Sequence, residues 1–267
     1  MAIGLIIIGD EILSGRRVDK HLPKMIELLR ARGLQLGWAE YLGDQPERIV
    51  STLARTLRSD DIVFSTGGIG ATPDDHTRQC AARALGVPLQ LHPEAKIKIQ
   101  ERIADTAREA GVAIDLDTPD NLHRLKMGEF PQNAAIIPNT YNKIPGFSVP
   151  NSSGSGAHYF VPGFPVMAWP MFEWVLDSHY AHLFHKDVPA EKSVLVFNQA
   201  ESVLTPLMET LEADFPAIKV FSLPHIGDDD TRRHIDLGVK GKAEDVEAAF
   251  ARMLQGLDQM HAEYRQV

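Results

Sequence analysis

The stretch FSTGGIGATPDDHT, Phe64 to Thr77, sets three glycines between an apolar run and a pair of carboxylates. Ile62 to Phe64 reads as a strand buried on both faces. Beyond the glycines, Cys80, Ala81, Ala84 and Leu85 fall at helical spacing, and Gly86 and Pro88 stop that helix. The stretch is therefore a turn from strand to helix. Working backward, Ile3 to Ile8 is a second buried strand. Val18, Leu22, Met25, Ile26 and Leu29 mark a helix that Gly33 ends. Leu34, Leu36 and Trp38 alternate as a strand does, and a second helix is expected from Asp44 to Leu57. The order β-α-β-α-β-α predicts an α/β fold, a mostly parallel sheet with helices on both faces. Ligands of such sheets sit beyond the carboxyl ends of the strands. Gly9, Asp10 and Glu11 would lie there, together with the glycine loop at 67–70.

The carboxylates admit two readings. Thr72 is a good N-cap, Pro73 suits a first helical position, and Asp75 stands three after the cap, so Asp74 and Asp75 could simply start a helix. The glycines argue for a ligand instead. Gly67, Gly68 and Gly70 cost backbone entropy and add no core, but they let amide N–H groups approach oxygens closely. A phosphate there would be repelled by two carboxylates unless a divalent cation lay between them. Mg²⁺ uses one or two carboxylates and completes its shell with water and substrate phosphates. Both readings stay open on the residues alone. A Walker loop is excluded by the lack of Gly-Lys-Ser/Thr. A dinucleotide fingerprint is excluded because the glycines follow the third strand, not the first.

Other polar groups are more ambiguous. Asp44 with Glu47 fits a D-x-x-E capping box, and Asp19 lies in a first helical turn. His179, His182 and His185 share helical spacing but lack an acidic partner, which suggests a half-buried face rather than metal. GDDD at 227–230 reads as a hairpin turn, and NSSGSGA at 151–157 as a tip between two short strands.

The 267 residues suit two domains, at 1–185 and 186–267. A helix is expected from Pro93 to Ala110 and another from Pro165 to His185. The tail reads as β-α-β-β-α: strands at Ser193–Phe197, Ile218–Leu223 and His234–Val239, and helices at Glu201–Leu211 and Ala243–Tyr264. A net charge of −9 argues against nucleic acid and anionic membranes as partners. The single cysteine, Cys80, excludes an intrachain disulfide and falls at an apolar position. The opening MAIGLIIIGDEI has no basic leader and is broken by Asp10 and Glu11, so neither a signal peptide nor a span is expected; the location expected is cytoplasmic.

Several segments, in order, resemble the competence/damage-inducible protein A family, which carries a molybdopterin-binding-type domain. GDEILSGRRVD resembles its G-D-E-L-L-x-G-x-x-x-D motif, and STGGIGATPDD its T-G-G-L-G-P-T-x-D-D signature. LKMGEFP, NTYNKIPGF and VPGFP resemble its later K-Q-A-x-x-P, N-x-x-G-x-A-P-G-F and L-P-G-V-P segments. The likeness runs from Ile3 to about Phe172, and the tail resembles the family's small KH-like domain. The family's longer members add an amidohydrolase acting on nicotinamide mononucleotide, so a stand-alone form is expected here.

The resemblance implies a three-layer α/β/α fold and metal-dependent cleavage of a nucleotide pyrophosphate such as ADP-ribose. Its alternatives are a molybdopterin or nucleotide binding protein without catalysis, and a molybdopterin nucleotidyl transferase. It implies phosphate contacts at Thr66, Gly67, Gly68, Gly70 and Thr72. Asp74 and Asp75 would bind metal or orient water, with Asp44 as a further ligand and Lys126 steadying charge on phosphate. Asp10, Glu11, Asp19, Asn139 and Gly146 match further pocket positions. The cofactor implied is Mg²⁺, or Co²⁺ or Mn²⁺, with K⁺ as an additional ion. The ligand would be a small nucleotide or pterin phosphate, and a homodimer is expected. The chain departs from the family at His21, Ala71, Met127, Asn142, Ile144 and Met167. Met127 and Met167 stand where the family carries glutamine and glutamate.

Overall fold

The computed structural model describes residues 1–152, 154, 156–186, 190–227 and 232–267. The chain divides into two compact units, Met1–Phe184 and His185–Val267. In the first, strands and helices alternate at the start: β1 (Ile3–Ile8), α1 (Asp10–Leu13), α2 (His21–Ala31), β2 (Trp38–Leu42), α3 (Pro46–Thr56), β3 (Ile62–Thr66) and α4 (Thr77–Leu85). There follow β4 (Leu89–Leu91), α5 (Pro93–Glu109), α6 (Pro119–Leu125), β5 (Glu129–Pro131), β6 (Ala135–Ile137), β7 (Gly146–Pro150), β8 (Ala157–Val161) and α7 (Pro165–His179).

Among the described residues the main sheet has the order β2-β1-β3-β8-β7-β6. β2, β1, β3 and β8 run parallel, while β7 and β6 are antiparallel additions. Every residue of β1 is buried, as a strand covered on both faces requires. Its side chains alternate between two cores. Leu5 and Ile7 join Phe64, Met25 and Leu29 of α2, and Phe172 and Val175 of α7. Ile6 and Ile8 join Val63, Phe147 and Phe160, Ile49 and Leu53 of α3, and Cys80 of α4. The unit is thus a three-layer α/β/α sandwich. Burial pushes the Cys80 thiol up to about 11, which keeps it an unreactive core group.

Several boundaries in the first unit differ from the sequence expectation; the helix expected to reach His185 ends at His179, so His182 and His185 lie beyond it and the three histidines share no helical face. The helix expected from Val18 begins at His21, because Asp19 accepts hydrogen bonds from the His21 and Leu22 amides at 2.8 and 3.1 Å. The strand expected at Leu34 begins at Trp38: Leu34 and Leu36 pack on the core from a loop, and pairing is set by the Gly37 amide on the Ile3 carbonyl at 2.8 Å. The helix expected from Thr72 begins at Thr77, whose amide bonds the Gly68 carbonyl at 2.9 Å.

The second unit holds β9 (Ala190–Phe197), α8 (Glu201–Asp214), β10 (Lys219–His225), β11 (His234–Gly241), α9 (Ala243–Gln259) and β12 (Glu263–Gln266). Its antiparallel sheet has the order β10-β11-β9-β12. Val194, Val196, Leu237 and Val239 face Leu204, Leu211, Val246, Met253 and Leu257. The long final helix expected from the sequence stops at Gln259; His261, at φ 51°, turns the chain into β12 beside β9. The turn expected at 227–230 falls largely outside the described residues, as do Ser153 and Ser155 of the tip at 151–157.

His158 of β8 is wholly buried, and among the described residues neither ring nitrogen has a hydrogen-bond partner of good geometry. Burial pulls its pKa down to about 4, against the ordinary 6.5. The unfolded chain therefore takes up a proton that the native state refuses. Stability should fall as pH drops from about 6.5 towards 4, by up to about 3 kcal/mol. Urea unfolding at pH 7 and pH 5 checks this: His158→Leu should show a markedly smaller loss between the two.

Candidate functional site

The carboxyl ends of β1, β3 and β8 end side by side, because the three strands are parallel neighbours. A cleft of about 390 Å³ sits there. One part of its lining comes from the chain after β1 and β2, with Gly9, Glu11, Arg17 and Asp44. A second comes from the loop after β3: Gly67 to Thr72, Asp74 and Asp75. A third brings Met127, Asn142, Ile144 and Pro145, and the last is Pro162 to Phe164 with Met167.

The glycine loop is held tightly from beneath. Gly67 has φ 95° and Gly68 φ 66°, both in the left-handed region that side chains avoid. A Cβ on Gly67 would lie 2.1 Å from the Ile8 carbonyl oxygen, and one on Gly68 2.2 Å from Thr77 Oγ1. Thr77 Oγ1 donates to the Gly67 carbonyl at 3.0 Å, so the first residue of α4 grips the loop through side chain and amide together.

The paired carboxylates are not a helix start; they sit in a turn ahead of α4. Asp75 Oδ2 accepts from the Thr72 amide at 2.8 Å. Thr72 Oγ1 lies 2.5 Å from oxygens of both Asp74 and Asp75. A hydroxyl has one proton to give, so three oxygens crowd one hydrogen. The Thr72 hydroxyl, the first cause, and the Asp74 amide hold the exposed Asp74 carboxyl below its ordinary range, which keeps it ionised at neutral pH.

Asp44 does not form the capping box with Glu47. The residue ahead of α3 is Gln45, and it makes no side-chain cap. Asp44 Oδ2 instead accepts from the Asp10 amide at 2.9 Å, and Asp10 Oδ1 accepts from the Asp44 amide at 3.2 Å. Burial raises the Asp44 pKa, and the charges of Asp10, Glu11 and Asp74 raise it further, against the bond from the Asp10 amide. Repelling carboxylates thus meet across the cleft, an arrangement that a cation would relieve. Among the described residues no three His, Cys, Asp or Glu side chains form a ready-made metal cage. The donor set fits an ion that takes one or two carboxylates here and its other ligands from phosphate and water.

The other expected residues occupy supporting places. Asp19 starts α2 and accepts from the Tyr41 hydroxyl at 2.8 Å. Buried Asn139 organises the turn beneath the cleft, accepting from the Tyr141 amide at 3.0 Å. Gly146 lets β7 approach β8, since a Cβ would lie 2.3 Å from the Phe160 carbonyl oxygen. Thr66 is buried in β3. The Lys126 side chain is exposed and outside the lining, to which its neighbour Met127 contributes. Among the described residues of the lining, the cationic side chain is Arg17, whose guanidinium lies 5.7 Å from the Phe164 ring centre.

Sequence reasoning missed Arg78. Its side chain is buried at 3% exposure on α4. It donates to the Gly70 carbonyl at 2.6 Å and to the Lys126 carbonyl, so it ties the glycine loop to the segment carrying Met127. Its Nε has no partner among the described residues. Burial lowers its pKa, and the nearby charges of Asp75 and Glu129 oppose that shift. His21 plays a parallel part on the other wall: its Nε2 donates to the Gly163 carbonyl at 3.0 Å, and its Nδ1 has no partner among the described residues. Burial holds its pKa below the ordinary value, and both the Gly163 bond and Asp19 oppose this.

Comparison with known proteins agrees with this architecture. A CinA-like protein of Anaeromyxobacter dehalogenans is 33% identical over 214 residues, covering 78% of this chain and 49% of the relative. A CinA-like protein of another Anaeromyxobacter is 30% identical over 248 residues, covering 87% of this chain and 57% of the relative. The chain spans about half the length of these relatives. The solved structure of CinA from Thermoplasma acidophilum, titled as of unknown function, matches with a TM-score of 0.54 at 25% identity, covering 66% of this chain and 97% of that one. No described helix is long and apolar enough to cross a membrane. The family model described as "Probable molybdopterin binding domain" matches residues 4–182, and the chain belongs to that family.

Proposed function

We propose that the cleft binds a nucleotide or pterin phosphate together with a divalent cation, and that it hydrolyses the pyrophosphate bond of an ADP-ribose-like nucleotide. The observation that carries this reading is the meeting of the closely packed glycine loop with the carboxylates of Asp44, Asp74 and Asp75 in one cleft. A polyanion and a set of carboxylates are compatible there only with positive charge between them. One or two of these aspartates would hold that cation, its other ligands coming from phosphate and water; when bound it would supply charge neutralisation and an activated water. The Gly67 amide is already given to the Val161 carbonyl at 3.1 Å, so the amides of Gly68 to Gly70 would orient the phosphate, and Glu11 beside Asp44 adds to the field favouring a cation. Arg17, in the lining, is better placed than Lys126 to neutralise charge developing on a phosphoryl oxygen.

Incubation with ADP-ribose, FAD and coenzyme A, each with Mg²⁺, Mn²⁺ or Co²⁺, tests the proposal. Release of AMP that depends on the metal is the expected result. Absence of turnover with every metal would overturn the hydrolase reading.

A second reading, binding without turnover, draws on Met127 and Met167. Both line the cleft as thioethers, which neither transfer protons nor hold hard cations. Calorimetric binding of ADP-ribose with no product formed would select it.

A further inference from the structure

Beyond the acidic groups and glycines, the lining turns apolar, with Met127, Ile144, Phe164 and Met167. Asn142 is a half-buried polar side chain among them. Its orientation is fixed by its neighbours. Oδ1 accepts from the Ile144 backbone amide at 3.0 Å, a group that can only donate, and from Asn139 Nδ2 at 2.8 Å. The amide nitrogen must therefore be the other end. Among the described residues its contact is Met167 Sδ at 3.3 Å. A thioether is a weak acceptor, and the nitrogen carries two hydrogens. A donor of defined direction thus stands in the cleft wall, nearly unspent. Asn142 and Met167 are also two of the positions where the chain departs from the motifs it resembles.

We propose that Asn142 is a specificity-determining residue: its Nδ2 donates to an acceptor atom, a ring nitrogen or carbonyl, on the planar heteroaromatic ring of the phosphorylated ligand, whose face rests on the thioethers of Met127 and Met167. This rests on the reading that the cleft takes a nucleotide or pterin phosphate, but not on hydrolysis. Polarisable, unbranched methionines suit a flat ring without demanding one ring pattern. The discrimination then falls to the amide, since a polar group built to bond a ligand rejects one that leaves it unpaired.

The test compares AMP with ribose 5-phosphate, which has the phosphate and sugar but no ring, by calorimetry in Mg²⁺. Wild type should bind AMP the more tightly. Asn142→Asp keeps the acceptor that holds Ile144 and Asn139, so the turn survives, but it replaces the ligand-facing donor with an acceptor. Met167→Gln adds no charge and offers Asn142 a strong competing carbonyl. Both variants should cut the preference for AMP over ribose 5-phosphate about 10-fold or more; the charge added by Asn142→Asp acts on both phosphates alike, whereas Met167→Gln should leave ribose 5-phosphate within about 2-fold. Equal weakening of both ligands, unchanged AMP affinity, or a wild type without preference for AMP would each overturn the inference while leaving a phosphate site standing. AMP binding without ADP-ribose cleavage would refute hydrolysis alone.

Discussion

Asp74→Asn and Asp44→Asn are each expected to cut metal-dependent AMP release from ADP-ribose by about 100-fold or more, the scale for removing one electrostatic group aimed at the reacting centre. Loss of activity alone would not separate a ligand role from a structural one, and Asp44 offers that separation. Its pKa is raised by burial and then by Asp10, Glu11 and Asp74. A carboxyl with a raised folded-state pKa stabilises the protein in its protonated form, and that contribution is lost as pH rises through the folded pKa. At neutral pH the ionised side chain is therefore a burden to the metal-free protein. An asparagine removes the charge and keeps an oxygen for the Asp10 amide. In EDTA, Asp44→Asn should melt at or above the wild-type temperature, yet gain less on adding Mg²⁺ with ADP-ribose. A lower melting temperature in EDTA would point to a structural carboxylate instead.

Arg78→Met is expected to lower the stability of the first unit by about 3 kcal/mol, and its melting temperature by roughly 6–12 °C. Two opposing effects decide the size. The guanidinium is desolvated, and removing it relieves that cost. Against this, the Gly70 and Lys126 carbonyls lose charge-assisted donors, and methionine cannot replace them. Bonds to charged groups are worth about 1.5–3 kcal/mol each, so two of them outweigh the relief. Arg78→Lys keeps the charge but cannot span both carbonyls with a planar fork, and should fall between. AMP affinity should drop with the same ranking, because the glycine loop and the Met127 segment are no longer tied. Differential scanning calorimetry and titration of AMP measure the two effects.

The sheet was legible because its information is local. Ile3–Ile8 and Ile62–Phe64 are unbroken apolar runs bounded by glycine or polar residues, and both are buried strands. The glycine loop followed from the same pattern, one turn beyond β3. Capping was less legible, since a cap depends on which of several nearby amides a carboxylate finds. Thr72 and Asp75 looked like a helix start, but Gly68 captures the Thr77 amide and delays α4. Asp44 looked like a partner for Glu47, but Asp10, 34 residues away, takes it. The strand β12 was hidden by its polarity: EYRQ exposes most of its side chains and owes its form to pairing with β9. Arg78 was the hardest to read. Its acceptor at Lys126 is 48 residues distant, and nothing in TRQCAARAL distinguishes a buried arginine from a solvated one. Met127, Asn142 and Met167 likewise meet only in the folded chain.

The central claim is that carboxylates and loop amides grip one polyanion through a cation. Titration of a non-hydrolysable methylene analogue of ADP-ribose into the wild-type protein, once with EDTA and once with excess Mn²⁺, tests it most directly. The account predicts binding at least about 100-fold weaker in EDTA, with Asp74→Asn as weak in Mn²⁺ as wild type is without it. Equal affinity under both conditions would contradict it, because the nucleotide would then be held without any ion between it and the aspartates.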